Sequence, residues 1–457
     1  MVNVDSITVT EVEDFPSDFT DTNYWGNFNF ASYPVYIATS GGGKNKDKAY
    51  LYVANAHPAG DYDAGIYMRT DYTFKPGMYV LKFEMQWEFP RTPFAYNAVP
   101  LQVRFKDEDS NKLLLAQTTS SANTMMVRQG SYAFTFPAYY AYNASKPQAW
   151  RMREKEDEWV DVKYIMVFDR EVAGRLLIKF VKQNYITRLN ITQPKLYRVE
   201  NFPKICFLRF DDVADHAQYW LESLNENNIK KATLCPIGDL AAQNALDVYQ
   251  EFAKQGFCLI YHVYHSPLHG IIELGAQNCY DNAAFLHVIE KDYEDYCENL
   301  AIPAGFPPPQ IAVPPGHGLW ADLDKFCRQN LRAKINHVYR GDNFYQGGWQ
   351  ETGDIYHLNG GTQVGWKDYT YDGNPYGGLN IVGGLQYIKE YLRLAGNRFG
   401  WAGLIFHHVY PDDTTPSESL QWKAVNQDYF DEIIAAVREY GFAFGDYNDL
   451  VALWEAL

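Results

Sequence analysis

The sequence predicts two units of different class: an all-β sandwich or jelly roll over residues 1–200, then an α/β unit of distorted (β/α) barrel type over residues 201–457. Three observations carry the prediction. Apolar and polar residues alternate along the first half, as on strands with one buried face. In the second half, apolar residues at helical spacing alternate with short apolar runs, which implies parallel βα units. At Asn201-Phe202-Pro203 the period and the composition change together. A chain of 457 residues has room for two or three cores, and about 250 residues is a typical barrel length.

In the first half, residues 78–88 show the alternation best. Tyr79, Leu81, Phe83, Met85 and Trp87 share one face; Lys82, Glu84, Gln86 and Glu88 share the other. Leu101, Val103 and Phe105 repeat the pattern, as do Val160, Val162, Tyr164, Met166 and Phe168, and residues 175–182 and 195–200 close the series. Turn-forming stretches separate the runs: Gly41-Gly42-Gly43, Lys75-Pro76-Gly77, residues 107–111 and Ala173-Gly174. Short strands punctuated in this way build sandwiches. The aromatic share is 16%, with 36 Tyr and 11 Trp; such rings fill cores and also offer flat faces to ligands. In strand pattern and aromatic content this half resembles the jelly-roll carbohydrate-binding modules that accompany many polysaccharide-active enzymes. Trp25, Tyr139, Tyr140 and Tyr142 are candidate stacking residues on that reading and core residues on the other. A spacer or assembly domain without a sugar site is the alternative.

The second half opens with the run 204–212. Five of the six residues from Ile205 to Phe210 are apolar, as in a buried parallel strand. Its C-terminal end delivers Asp211 and Asp212, where parallel α/β folds place their chemistry. An Asp in that position also serves as a turn or a helix N-cap. Ala217, Trp220, Leu221 and Leu224 then mark one helical face, and Leu246, Tyr249 and Phe252 another, which Gly256 stops. An apolar strand over 257–264 follows. Phe285, Ile289, Tyr293 and Tyr296 mark a further helix, and Tyr429, Phe430, Ile433, Ile434 and Val437 the next, stopped by Gly441.

Composition excludes several classes. Apolar content of 47% with 21% charged residues is that of a folded soluble protein. A net charge of −16 argues against nucleic acid or anionic membrane as the main partner. No stretch of about 18 apolar residues is present, so no membrane insertion is expected. Residues 1–20 are acidic and lack an apolar core segment, so no signal peptide is expected. The six cysteines, Cys206, Cys235, Cys258, Cys279, Cys297 and Cys327, form no CxxC pair, which argues against a zinc knuckle or redox motif. Cys206 and Cys258 fall in strands and read as core.

The chemistry concentrates at strand ends. His265 and His269 lie four residues apart, a spacing that lets two imidazoles face one metal ion, although such pairs also occur as plain surface histidines. With Asp212 from a neighbouring strand they make an open site of two nitrogens and one carboxylate oxygen, which leaves room for water. Near the C-terminus Gly403-Leu404-Ile405-Phe406 is a short buried strand delivering His407 and His408. A histidine at that position suits a general acid, or else a core or capping role.

Together these residues resemble the polysaccharide deacetylases of the NodB-homology type, carbohydrate esterase family four, over roughly residues 203–457. Phe210-Asp211-Asp212 matches the first motif, with Val213 in place of its glycine. His265-Ser266-Pro267-Leu268-His269 matches the second in full. Val313-Pro314-Pro315-Gly316 matches the third in part, and 404–408 resembles the fifth, with His408 replacing an aspartate. The resemblance implies a polysaccharide or glycan substrate and a divalent ion, zinc above all. It implies Asp212, His265 and His269 as metal ligands, Asp211 as general base, His407 as general acid and the Gly316 N–H as oxyanion donor. Counting from Gly256 instead puts His262 where the first metal histidine falls, and it stands in reserve.

Two departures stand out. The arginine that orients the base in the family's third motif is Val313 here, and the fourth motif has no clear counterpart between Ala333 and Trp349, where Arg340 is one substitute. A glycan-binding or adhesion protein that has lost activity is therefore the alternative. An extracellular glycan substrate without a signal peptide suggests a virion-associated component, such as a phage tail protein, with homo-oligomeric or virion assembly partners.

Overall fold

The computed structural model describes residues 3–28, 35–38, 49–53, 63–88, 101–107, 132–136, 160–168, 171–181, 188–212, 214–273, 283–313, 315, 335–336, 357–358, 362–369, 381–398, 401–412 and 414–457. Within the first half these residues form two antiparallel sheets. One runs in the order Thr8–Glu11, Lys195–Glu200, Gly77–Glu88, Arg188–Ile191, Ala49–Val53 and Val35–Ala38, with Val160–Phe168 also paired to Gly77–Glu88. The other runs Trp25–Phe28, Asp63–Met68, Val172–Val181, Leu101–Asp107 and Tyr132–Phe136, with Tyr72–Phe74 on Val172–Val181. The alternation of residues 78–88 has its expected result, since Tyr79, Leu81 and Phe83 are buried. Trp25 is also buried, its indole N–H donating to the Pro16 carbonyl. It is a core residue with no ring face available for stacking. Tyr139, Tyr140 and Tyr142 lie outside the described residues.

The second face of the Gly77–Glu88 strand is not polar throughout. Met78 and Val80 are buried on it in a cluster with Val199, Ile205, Phe207, Trp401, Tyr447, Leu450, Leu453 and Trp454. Lys163, on the adjacent strand, donates to the Trp454 carbonyl at 2.6 Å and lies over that indole ring. The two halves of the chain therefore share one apolar cluster.

The second half is a parallel sheet in the order Cys258–Leu259, Thr233–Pro236, Ile205–Asp212, Trp401–Phe406, Thr362–Val364 and Ile381–Val382. Ile205–Asp212 is central. Trp401–Phe406 pairs along one edge, while Ala443–Gly445 and then Thr233–Pro236 share the other. Single parallel bridges, Ile237 to Val263 and Tyr261 to Ala312, carry the arc onward. Helices pack against it through the faces expected from their spacing. Ala217, Trp220, Leu221 and Leu224 are buried, and so are Tyr429, Phe430, Ile433, Ile434 and Val437. Phe210 stacks on Phe406 at 5.5 Å between ring centres, and Trp220 and Phe430 close around them. Cys206, Cys235, Cys258 and Cys297 are buried free thiols; Cys279 and Cys327 lie outside the described residues. Among the described residues no helix is long and apolar enough to cross a membrane.

The helix Leu246–Gln255 ends at Gly256 with φ +82°, the Phe257 N–H donating back to Phe252 O at 3.2 Å. A left-handed residue at this place lets the chain turn directly into the next strand. A Cβ on Gly256 would meet nothing within 4 Å, so only the backbone conformation resists substitution. Gly256→Ala is expected to lower the unfolding free energy by about 1 kcal/mol, measured by urea titration.

Candidate active site

Asp211 and Asp212 end a strand whose residues from Ile205 to Asp211 are all buried. Alternation along a strand sends successive side chains to opposite faces, which would separate two adjacent carboxylates. The backbone resolves this at Asp212, where φ is +65°. Aspartate tolerates that left-handed conformation better than most residues, and such strained positions concentrate at functional sites.

Asp212 meets two imidazoles. Its Oδ1 lies 2.9 Å from His262 Nε2 and 3.1 Å from His269 Nε2, and the two Nε2 atoms lie 3.1 Å apart. His262 Nδ1 is 2.6 Å from the Val313 carbonyl. That oxygen only accepts, so Nδ1 carries a proton and Nε2 is the nitrogen left to face the cluster. His262 Nε2, His269 Nε2 and Asp212 Oδ1 thus converge, with side-chain exposures of only 3%, 11% and 20%. Such a convergence needs a cation or extra protons to hold it. The donor set is that of an open divalent site, and a carbonyl on the far imidazole nitrogen is the usual support for a ligating histidine. Burial works against the Asp212 carboxylate, yet when protons rather than a cation fill the cluster the hydrogen bonds from His262 and His269 outweigh it and hold the group well below the usual carboxylate range.

His265, expected as a ligand, lies elsewhere. Its side chain is 50% exposed and its Nε2 faces Asp295 at 3.1 Å. The residues His262 and His269 are brought together instead, seven apart, because the turn between strand and helix reverses the chain. That turn is pinned by Asp292, which accepts from the Tyr264 N–H at 2.7 Å, the His265 N–H at 2.9 Å and the Tyr261 hydroxyl at 2.7 Å. Asp239 takes the Ser266 N–H and hydroxyl at 2.9 and 3.0 Å. With its backbone N–H on Asp292 and its ring on Asp295, His265 stands apart from the cluster. His262→Ala is therefore expected to lose metal, whereas His265→Ala retains it at the wild-type stoichiometry, as elemental analysis of the two variants would show.

His407 follows the Trp401–Phe406 strand and reaches the same site, with Nε2 3.6 Å from Asp212 Oδ2. Burial pushes its imidazole down from the ordinary value, while the charges of Asp212 and Asp211 pull it back up. Its Nδ1 has no hydrogen-bond partner among the described residues. His408 turns away and stacks on Tyr410, edge-on to His216; burial and the Lys423 charge push its imidazole down to about 3, so it is neutral near pH 7.

Asp211 carries a feature the sequence reasoning did not identify. Arg209, fully buried, donates from Nη2 to Asp211 Oδ2 and from Nη1 to the Tyr447 hydroxyl at 3.2 Å. Asp211 Oδ1 has no hydrogen-bond partner among the described residues, although the buried thiol of Cys235 is near enough for Asp211 to raise it further. One signal was present in the sequence: Arg209 is the single non-apolar residue between Ile205 and Phe210, and it lies two positions before Asp211, on the same strand face. Val313 is buried in the apolar cluster. Val213, Gly316 and Arg340 lie outside the described residues.

No protein-family model matches the chain, and no curated protein sequence matches it. Solved structures do show likeness over about half of it. A polysaccharide deacetylase from Bacillus cereus is 15% identical, with a TM-score of 0.32 over 53% of this chain and 92% of its own. A family 4 acetyl xylan esterase from Clostridium thermocellum, solved with a cobalt ion, is 16% identical, with a TM-score of 0.32 over 55% and 91%. A family 4 pseudoenzyme from Bacillus anthracis is 12% identical, with a TM-score of 0.32 over 55% and 66%. Two of these three are named as family 4 proteins. The reading of the site rests on the distances and partners above.

Proposed function

We propose that the chain is a metal-dependent deacetylase that removes acetyl groups from a polysaccharide or other glycan, with zinc as its ion. The observation that carries this reading is the convergence of Asp212, His262 and His269, the last from the helix Ser266–Glu273, beside a buried Asp211 and His407 at the ends of two paired parallel strands. Two imidazole nitrogens and one carboxylate oxygen suit zinc and leave coordination positions open. A divalent ion held there supplies positive charge that polarises an acetyl carbonyl and acidifies water.

The chain's own residues supply the proton transfers. Asp211, with one oxygen engaged by Arg209, offers Oδ1 to take the proton of the attacking water. His407 gives a proton to the departing amine or hydroxyl. Burial disfavours its imidazolium, the charges of Asp212 and Asp211 favour it, and the proton it donates is one taken up from solvent. The Val313 carbonyl keeps a His262 proton on Nδ1 and leaves Nε2 to face the cluster. The test is acetate release by purified protein from a panel of N- and O-acetylated glycans, with and without chelator. Release that chelation abolishes and zinc restores is the expected result; release indifferent to chelation would overturn the reading.

A second reading, a glycan-binding protein without hydrolysis, draws on His407 Nδ1, which among the described residues lacks the partner that would orient it. It predicts affinity for a glycan with no acetate released from any member of the same panel.

A further inference from the structure

We propose that Arg209 is the residue that positions the base Asp211, supplying from within the strand the guanidinium that the resembled family takes from a loop. The inference rests on the deacetylase reading and deepens it. Four observations carry it. Arg209 is fully buried in an apolar strand, a place where a guanidinium persists only when paired and hydrogen-bonded. It pairs with Asp211 two residues on, so the alternation of the strand itself fixes both groups on one face. Its other end is held by the Tyr447 hydroxyl at 3.2 Å, and the Tyr447 N–H is anchored on Thr233 Oγ1 at 3.0 Å. A chain of contacts therefore runs from the neighbouring strand through the C-terminal helix to the base. Finally, the position of the loop arginine is occupied by Val313, buried among apolar side chains.

The geometry assigns the two oxygens of Asp211 different tasks. Oδ2 is fixed by the guanidinium, and Oδ1 is left without a hydrogen-bond partner among the described residues. A carboxylate pinned through one oxygen cannot rotate, so the other is presented in a single orientation to the water it must deprotonate. Displacement of such a group by about 1 Å costs on the order of 100-fold in rate. A merely structural ion pair would have a different signature: its loss would weaken the fold without acting through Asp211.

The experiment compares wild type, Arg209→Met, Arg209→Lys, Asp211→Asn and the Arg209→Met/Asp211→Asn double variant. Steady-state kinetics on acetylated xylan and on acetylated chito-oligosaccharide, zinc content and crystal structures are measured for each. Arg209→Met is expected to lower kcat by about 100-fold with KM and zinc content unchanged. Arg209→Lys is expected to recover part of the loss. In the Asp211→Asn background Arg209→Met is expected to add nothing, because both changes strike one unit. Unchanged kcat in Arg209→Met, or losses that add in the double variant, would overturn the proposal. The crystal structures decide positioning apart from activity. An Asp211 carboxylate that leaves its place in Arg209→Met supports the proposal, and one that stays overturns it. Should Arg209→Met fail to fold, Arg209→Lys carries both measurements, a displaced Asp211 and a lowered kcat supporting the proposal and wild-type values of both overturning it. A wild type that hydrolyses neither substrate would count against the deacetylase reading, while the structural comparison would still decide the role of Arg209.

Discussion

Asp212→Ala is expected to abolish metal retention and acetate release together. Asp212 Oδ1 lies within 3.1 Å of both His262 and His269 nitrogens, so its removal takes away the carboxylate that the two buried imidazoles share. Loss of a mere supporting partner of a ligand costs about 10- to 100-fold in metal affinity, and loss of a ligand costs more. Elemental analysis after dialysis should find less than a tenth of the wild-type zinc, on the order of that affinity change. The fold itself should survive, since Asp212 ends its strand and its side chain is 20% exposed. Retention of wild-type activity by Asp212→Ala would sink the mechanism outright.

The second large effect belongs to Asp211→Asn. The substitution keeps size and shape, removes the basic oxygen and leaves the metal ligands untouched. A general base in this role is worth about 10²–10⁴ in rate, and kcat should fall by that factor with zinc content unchanged. The contrast with Asp212→Ala is the informative part. One variant should be inactive with its metal gone, the other inactive with its metal in place. If both lost zinc, Asp211 would be a ligand and the division of labour between the two carboxylates would be wrong.

Much of the second half was legible because its information is local. The buried faces of the helices around Trp220 and Phe430 follow from helical spacing, and Gly256 and Gly441 stop their helices with φ of +82° and +77°. The strand ending in Asp211 and Asp212 could be read for the same reason. The histidines that meet Asp212 were harder. A spacing of four, His265 to His269, is the better pattern on paper, yet the backbone N–H of His265 is committed to Asp292, 27 residues on. Arg209 depends on a partner still more distant: Tyr447 lies 238 residues away, and no periodicity joins them. The first half shows the same limit, since alternation identified the buried face of Tyr79, Leu81 and Phe83 but not the second apolar face at Met78 and Val80, whose partners belong to the other half.

That shared cluster bears on how the chain can be inherited. The sheet strand that carries Val80 ends up between two cores, and Trp401 and Trp454 are buried in one cluster with it. A recombination event that moved residues 201–457 alone into another gene would carry the whole candidate site and also bare an apolar seam to water, with the aggregation such a patch invites. Residues 201–457 are thus tied to their companion by the cover it gives this seam.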